Sequence, residues 1–177
     1  MKGARRLFPL QSHLRSIGLA VAVAVTVLLH PWSRSEPAPA VSQLISEDGV
    51  FDPLAEARLL DLVNRTRSRS GLPPLMMAHS LQAAARAHSQ DMAIRGYIGH
   101  NTPEGLSVRD RLARVIRPAG VVAENVATAR TAEQAHRALV ASPAHRHNIL
   151  AARFHQVGIG IVFEEQRGLI ITEDFAE

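Results

Sequence analysis

The spacing of apolar residues changes its period along this chain, and that change restricts the possible folds more than any other feature. Between residues 53 and 140 the apolar side chains recur at helical spacing, whereas 157–162, VGIGIV, alternates as a strand does. A turn over 165–168 leads to a second β-branched run at 169–172, which completes a hairpin. Helices followed by paired strands predict an α+β fold, with helices packed on a small antiparallel sheet.

Capping residues predict where the helices begin and end. The predicted N-caps are Asp52, Ser80, Ser107 and Thr131, and Ser107 and Thr131 each stand three residues before a polar partner that suits a capping box. The predicted helices span about 53–69, 81–95, 108–116 and 132–140. A short strand or extended segment is expected around residues 124–126.

Small residues in two segments predict close approach between elements. The second helix carries four alanines, at positions 83, 84, 85 and 87, and this favours tight packing against a neighbouring element. Gly158 and Gly160 interrupt a strand, where glycine indicates a bulge or a backbone that comes very near. No helix follows them, so a phosphate-binding loop is excluded.

The beginning of the chain predicts export from the cytoplasm. Lys2, Arg5, Arg6 and Arg15 precede an uncharged apolar run at 16–29, the pattern of a basic n-region followed by the apolar h-region of a signal sequence. The run is shorter than the roughly 20 residues that span a bilayer. A small-x-small sequence at 38–40 resembles a cleavage site, although it lies far from the run.

These features divide the chain into three parts. Residues 1–32 are predicted to be either a cleaved signal peptide or an N-terminal membrane anchor, and both alternatives stay open. Residues 33–49, rich in Ser, Pro and acids, are predicted to be a linker, and 50–177 a single domain. Either fate of the first part places the domain outside the cytoplasm and the N-terminal segment against a membrane.

Charge and cysteine content exclude several classes of function. The net charge of +4 lies in residues 1–40, which carry five Lys or Arg and one acid; the remaining residues carry 15 basic and 15 acidic side chains and are neutral. A neutral domain has no electrostatic basis for binding nucleic acid. The chain has no cysteine, which excludes disulfides, a thiol nucleophile and cysteine-based metal sites.

The segment SPAHRHNIL predicts a short helix that carries a functional histidine. Ser142 supplies an N-cap hydroxyl, Pro143 has the φ angle suited to the first helical position, and His145 follows in the first turn. Two upstream segments supply candidate partners, His100 in GHNTPEG and Glu124 in AEN. We expect these three side chains to meet in one groove.

Seven segments, taken together and in order, resemble the CAP superfamily (SCP/PR-1-like; cysteine-rich secretory, antigen 5 and pathogenesis-related proteins) in its short, cysteine-free bacterial form. The segments are LVNRTRSRSGLPPL at 62–75, LQAAARAHSQDMA at 81–93, HNTPEG at 100–105, AEN at 123–125, SPAHRHNIL at 142–150, VGIGIV at 157–162 and ITEDFA at 171–176. Each segment alone is weak evidence for the family, but the seven occur in the family's order and extend over most of the predicted domain.

The resemblance implies an α-β-α sandwich, with a central antiparallel sheet between helical layers and a groove that holds two histidines and two acids. By their match to the motifs, His100 and His145 are the two histidines and Glu124 is the first acid. The position of the second acid falls on or near Ser142, so this chain departs from the four-residue pattern. The other residues predicted to form the groove are Asn125, Ser142, Arg146 and His147.

Two chemistries suit this set of side chains. His100, His145 and Glu124 are a ligand set that Zn²⁺ accepts, with water in an open position that could become a nucleophile. The same atoms could instead form a Glu–His hydrogen bond that joins two loops without any metal. The chain has neither an HExxH motif nor a nucleophile elbow.

Two functions follow from these alternatives. The favoured one is a binding module for a small apolar ligand or a cell-envelope component, with or without a divalent metal such as Zn²⁺. The other is a metal-dependent hydrolase that acts on extracellular or cell-envelope polymers.

Overall fold

A computed structural model of the chain describes residues 51–116 and 120–177. The predicted export segment, 1–32, and the predicted linker, 33–49, lie outside these residues. Within the described part, no helix is both long and apolar enough to cross a membrane.

Two strands, β1 and β2, lie between helices in the chain, and a hairpin of two more strands ends the domain. The helices are α1 Pro53–Arg69, α2 His79–Arg95, α3 Val108–Leu112, α4 Ala132–Ala141 and α5 Pro143–Leu150. The strands are β1 Met76–Met77, β2 Val122–Ala129, β3 Gln156–Glu164 and β4 Gly168–Ala176. The predicted order of helices first and paired strands last is confirmed.

The sheet has the order β1-β3-β4-β2. Its three long strands are antiparallel, with β4 in the middle between β3 and β2. The two-residue strand β1, which the sequence analysis did not anticipate, pairs in parallel with the start of β3. The sheet is therefore mixed, and the expectation of a purely antiparallel sheet holds for the long strands alone.

Helices cover both faces of the sheet, as an α-β-α sandwich requires. On one face, α1, α4 and α5 bury the larger apolar core, to which they contribute Leu59, Leu139 and Ile149 against Ile159 and Phe175 of the strands. On the other face α2 lies directly on β3 and β4. There the Ser89 hydroxyl donates to the carbonyl of Gly160 at 2.8 Å.

The strand glycines permit this contact. A Cβ added to Gly158 would lie 2.1 Å from the carbonyl carbon of Leu81, and one added to Gly160 would lie 2.2 Å from the amide nitrogen of Arg86. Both obstacles are backbone atoms of α2, which cannot move aside as a side chain would. The prediction of close approach is confirmed.

Local chemistry accounts for most of the helix ends. The side chain of Asp52 accepts from the amide of Ala55 at the start of α1, and the capping box between Ser107 and Asp110 opens α3. Gly96, in the left-handed region at φ 74°, ends α2. These ends lie where the sequence places them.

Three expectations about helix ends are wrong. Helix α2 begins at His79 after Ala78, so Ser80 lies inside the helix and does not cap it. Helix α3 ends at Leu112 rather than at Ile116. Ser142 precedes α5 as predicted, but its side chain makes no capping hydrogen bond. Propensity and spacing locate a helix better than they locate its last turn.

Candidate functional site

Glu124 is the centre of the polar cluster on the α2 face of the sheet. It lies in β2, and its side chain is almost completely buried. One carboxylate oxygen, Oε1, accepts a hydrogen bond from Nδ1 of His100 at 2.9 Å. The other, Oε2, accepts from the guanidinium of Arg111 and lies 3.7 Å from Nε2 of His88. Both oxygens are therefore used within the protein.

His100 is held at two points. Because a carboxylate only accepts, Nδ1 of the ring donates this hydrogen bond, and in the neutral ring Nε2 then keeps its lone pair. The backbone carbonyl of His100 accepts from Arg111 at 2.7 Å. The side chain is nevertheless 58% exposed, so a ring fixed from beneath presents its free nitrogen to solvent.

His145 is placed by a second buried network on the opposite face of the sheet. Asn125 in β2 is fully buried and donates through Nδ2 to the carbonyl of His145 at 3.2 Å. Asn148, one turn further along α5, donates to Oδ1 of Asn125 at 2.9 Å and to the carbonyl of Glu124 at 3.2 Å. These bonds join the first two turns of α5 to the strand that carries Glu124.

The surroundings of His145 favour the neutral form of its ring. Burial lowers the pKa of His145, and the positive charge that His100 can carry lowers it further. A neutral imidazole keeps a lone pair that a metal or a hydrogen-bond donor can use.

The other predicted groove residues take different places. Asn125 is fully buried, so it supports His145 through the backbone and does not line the surface of the groove. Ser142 is half-buried. Its hydroxyl makes no capping hydrogen bond to α5, so helix capping does not explain why a serine stands there. Arg146 and His147 are exposed and border a shallow depression with Pro143.

Three site residues were missed by the sequence analysis. His88 in α2 donates from Nε2 to the carbonyl of Gly99 at 2.9 Å and borders Glu124. Arg111 in α3 donates to Glu124, and no motif marks it in the sequence. Asp174 lies directly across from Glu124 in the sheet. An acid inside an otherwise apolar strand was the available signal for Asp174, since buried charges need a partner.

Burial changes the protonation of the acids in β4. Burial raises the pKa of Asp174 well above 3.8, the negative charge of Glu124 raises it further, and Arg111 opposes both. Neither oxygen of Asp174 has a hydrogen-bond partner among the described residues. The carboxyl of Asp174 therefore retains its proton at pH values where an exposed aspartate has lost it.

Glu173 has the corresponding position on the other face, where it supports Asn125. Its Oε2 accepts from Nδ2 of Asn125 at 2.9 Å, and its Oε1 has no partner among the described residues. Burial raises the pKa of Glu173 from 4.5 to about 7, although the bond from Asn125 opposes the shift.

The Glu173→Gln variant is expected to be more stable than the wild type above pH 7. Because the folded-state pKa is raised, the stability that Glu173 contributes is complete below pH 4.5 and is lost as the pH rises through about 7. That loss amounts to roughly 3 kcal/mol in the wild type. The glutamine variant avoids it, but its buried amide lacks a partner and costs about 1 kcal/mol. The variant should therefore be more stable than the wild type by about 2 kcal/mol at pH 8.5. Urea unfolding at pH 4, 6 and 8.5 measures it.

The control is Glu165→Gln, at an exposed position in the hairpin turn. Its free energy of unfolding should follow the wild-type pH profile. If Glu173→Gln also follows that profile, Glu173 is ionised in the folded protein without cost and the buried-acid interpretation is wrong.

A pocket lies beneath the loop that carries His100. Its volume is about 330 Å³, and one wall consists of Ala83, Ala84 and Ala87 of α2. His88 and Arg111 also line it, so it borders the polar cluster around Glu124. Only some of the α2 alanines therefore serve tight packing on the sheet, because Ala83 and Ala87 are exposed.

The fit of a metal to these residues is limited by Glu124. Among the described residues, no group of three or more His, Cys, Asp and Glu side chains is arranged to hold a metal ion. Glu124 uses its oxygens for His100 and Arg111 and so orients a ring instead of presenting a free ligand. The donors that suit a metal are the two imidazoles, His100 and His145.

The α-β-α sandwich described above is the fold of SCP domains. The chain belongs to the cysteine-rich secretory protein family (CAP), whose sequence profile matches residues 60–175. The resemblance drawn from the seven motifs is confirmed.

Relatives in bacteria share this domain. The uncharacterized protein YkwD of Bacillus subtilis (strain 168) is 34% identical over 121 residues, which cover 68% of this chain and 46% of YkwD. The chain thus spans less than half of that relative's length. An extracellular protein containing an SCP domain from Bacillus anthracis is 28% identical, with a TM-score of 0.63 over 70% of this chain and 40% of that one.

A third comparison concerns the fold alone. An outer surface protein of Borrelia burgdorferi has a TM-score of 0.68 and 16% identity, over 72% of this chain and 96% of that protein. Since nearly the whole of that protein is covered, the sandwich occurs there without large additions.

Proposed function

We propose that this domain is an extracytoplasmic binding module whose contact groups are the imidazoles of His100 and His145. The observation that carries the proposal is the orientation of His100, whose ring is fixed by buried Glu124 while its Nε2 faces solvent. A buried carboxylate that orients an exposed imidazole is the arrangement that prepares histidines for a ligand. Structural cross-links between loops have no need of an exposed ring.

The location is part of the proposal. The basic and apolar N-terminal pattern is that of an exported chain, and two of the similar structures are described as an extracellular protein and an outer surface protein. Attachment to a membrane through residues 1–32 remains a prediction from the sequence.

A divalent cation such as Zn²⁺ is the simplest ligand for this pair. The two imidazoles would hold it, and water or an atom of a larger ligand would complete the coordination. With only two protein ligands, binding is expected to be weak and exchangeable. The cation would give the module a site for carboxylate or phosphate groups of the cell envelope.

The apolar part of a ligand has a separate place nearby. The 330 Å³ pocket is walled by alanines of α2 and reaches the lower limit of ordinary small-molecule pockets. We therefore propose a small apolar molecule or a cell-envelope component as the partner. The hydrolase alternative lacks support of this kind, because Glu124, its predicted third metal ligand, is already bound to Arg111.

The His145→Ala variant is expected to weaken Zn²⁺ binding by at least about tenfold, since it removes one of two ligands. Isothermal titration of the full chain with ZnCl₂ at pH 7.5 measures this, and His100→Ala should have an equal effect. His147→Ala, on the exposed side of the same helix, is the matched control and should bind as the wild type does.

Two results would contradict the metal-binding part of the proposal. One is the absence of heat from the wild type at micromolar Zn²⁺. The other is equal weakening by His147→Ala and His145→Ala, which would indicate nonspecific binding to surface histidines.

A further inference from the structure

We propose that Arg111 is the positioning residue of the site and that it acts on ligand binding through Glu124 and the loop of His100. This inference rests on the proposed function, since it concerns how the same imidazole is presented. No motif in the sequence assigns such a role to Arg111.

The first argument is a closed ring of interactions. The guanidinium donates to Oε2 of Glu124, Oε1 of Glu124 accepts from the ring of His100, and the carbonyl of His100 accepts from Nη1 of Arg111 at 2.7 Å. His100 is therefore bound at its backbone and at its ring by two groups that also bind each other. A side chain held in this way loses its freedom to rotate away from the groove.

The second argument is the geometry of the guanidinium. Nη1 also donates to the carbonyl of Leu106 at 3.2 Å, so Arg111 spans both ends of the loop from His100 to Leu106. Only a planar, forked donor reaches two carbonyls and a carboxylate together. Lysine is a point charge and would have to give up at least one of them.

The third argument is burial. Arg111 is only 9% exposed, and Glu124 is 6% exposed. A buried charged pair is costly to form and survives where it fixes a particular arrangement. Exposed Arg109, on the same short helix, donates instead to the carbonyl of Gly120 and touches none of these groups.

The experiment compares Arg111→Lys with Arg109→Lys in the full chain, labelled with ¹⁵N-histidine and free of metal. In the wild type, the proton on Nδ1 of His100 should give a resolved resonance, because Glu124 shields it from exchange with water. His100→Gln assigns that resonance. In Arg111→Lys the Nδ1 proton should exchange with water so fast that its resonance is no longer observed, and Zn²⁺ affinity should fall about tenfold. Arg109→Lys should change neither.

A merely structural role is distinguishable from positioning. If Arg111→Lys lowers the melting temperature but keeps both the resonance and the Zn²⁺ affinity, the inference is overturned. If the wild type binds no Zn²⁺ and the resonance still disappears only in Arg111→Lys, the proposed cation site fails while the positioning role of Arg111 stands.

A second variant covers the case in which Arg111→Lys does not fold. Glu124→Leu has a side chain of similar size and removes both oxygens that join Arg111 to His100, so it must lose the same resonance. Retention of the resonance in Glu124→Leu would overturn the inference, because His100 would then be held without the ring of interactions.

Discussion

Replacing Arg67 by alanine is expected to lower the free energy of unfolding by about 4 kcal/mol, enough to unfold much of a domain of ordinary stability. Arg67 is fully buried near the end of α1. Its guanidinium donates to four backbone carbonyls, those of Pro73, Ile149, Ala151 and Phe154, at 2.8–3.1 Å. Alanine would remove the donor from all four, and the bonds to the carbonyls of Ile149 and Phe154 are buried.

These four carbonyls belong to two segments that are far apart in the sequence. One lies in the loop that follows α1, one lies in the last turn of α5, and the other two lie between α5 and β3. Arg67 thus joins α1 to the end of the helix that carries His145. The loss should extend to the site as well as to overall stability.

Urea unfolding followed by circular dichroism measures the effect of Arg67→Ala. Arg69→Ala, an exposed position in the same last turn, is the control and should change stability by less than about 0.5 kcal/mol. A loss below about 1 kcal/mol for Arg67→Ala would mean that water replaces the guanidinium and that the four bonds contribute little.

Replacing Gly160 by alanine is expected to cost about 3 kcal/mol, through steric conflict and not through lost contacts. The added Cβ would lie 2.2 Å from the amide nitrogen of Arg86 and 2.3 Å from the carbonyl carbon of Ala85. Helix α2 would have to move away from the sheet, which breaks the bond from Ser89 to the carbonyl of Gly160.

Thermal unfolding of Gly160→Ala is compared with that of Gly99→Ala. The comparison separates the steric clash with α2 from the general effect of replacing a glycine. An added Cβ at Gly99 meets nothing nearer than 3.9 Å, so that variant should remain near wild-type stability. Equal behaviour of the two variants would show that α2 can shift at no cost. In that case the contact between α2 and β3 is looser than the structure indicates.

Much of the fold was predictable because its signals are local. Asp52 and Pro53 start α1, and the break at GLPP follows its end at Arg69, so both ends of that helix agree with the prediction. The alternation in β3 and the turn at Gly168 likewise depend on residues close in the chain. By contrast, β1 has two residues and exists only because β3 lies beside it, and no local pattern encodes it.

The site was predictable in part. His100, Glu124 and His145 were found by their motifs, and the bond between His100 and Glu124 agrees with the expectation that they meet. The residues around Glu124 were not found, because Arg111 binds it from α3 and Asp174 lies opposite it in the partner strand β4. Their proximity to Glu124 depends on how α3 packs and on the register of β4 with β2, and neither can be predicted from spacing along the chain.

The sequence by itself determined the class of fold, the positions of the long helices and of the hairpin, and the family. These follow from periodicity, capping and short motifs, all of which act over a few residues. Only the tertiary structure decided that Glu124 orients His100 instead of standing free, and that Asp174 and Glu173 are buried acids. Protonation and hydrogen-bond partners depend on which side chains come together and how much water they exclude, and that is a property of the folded chain.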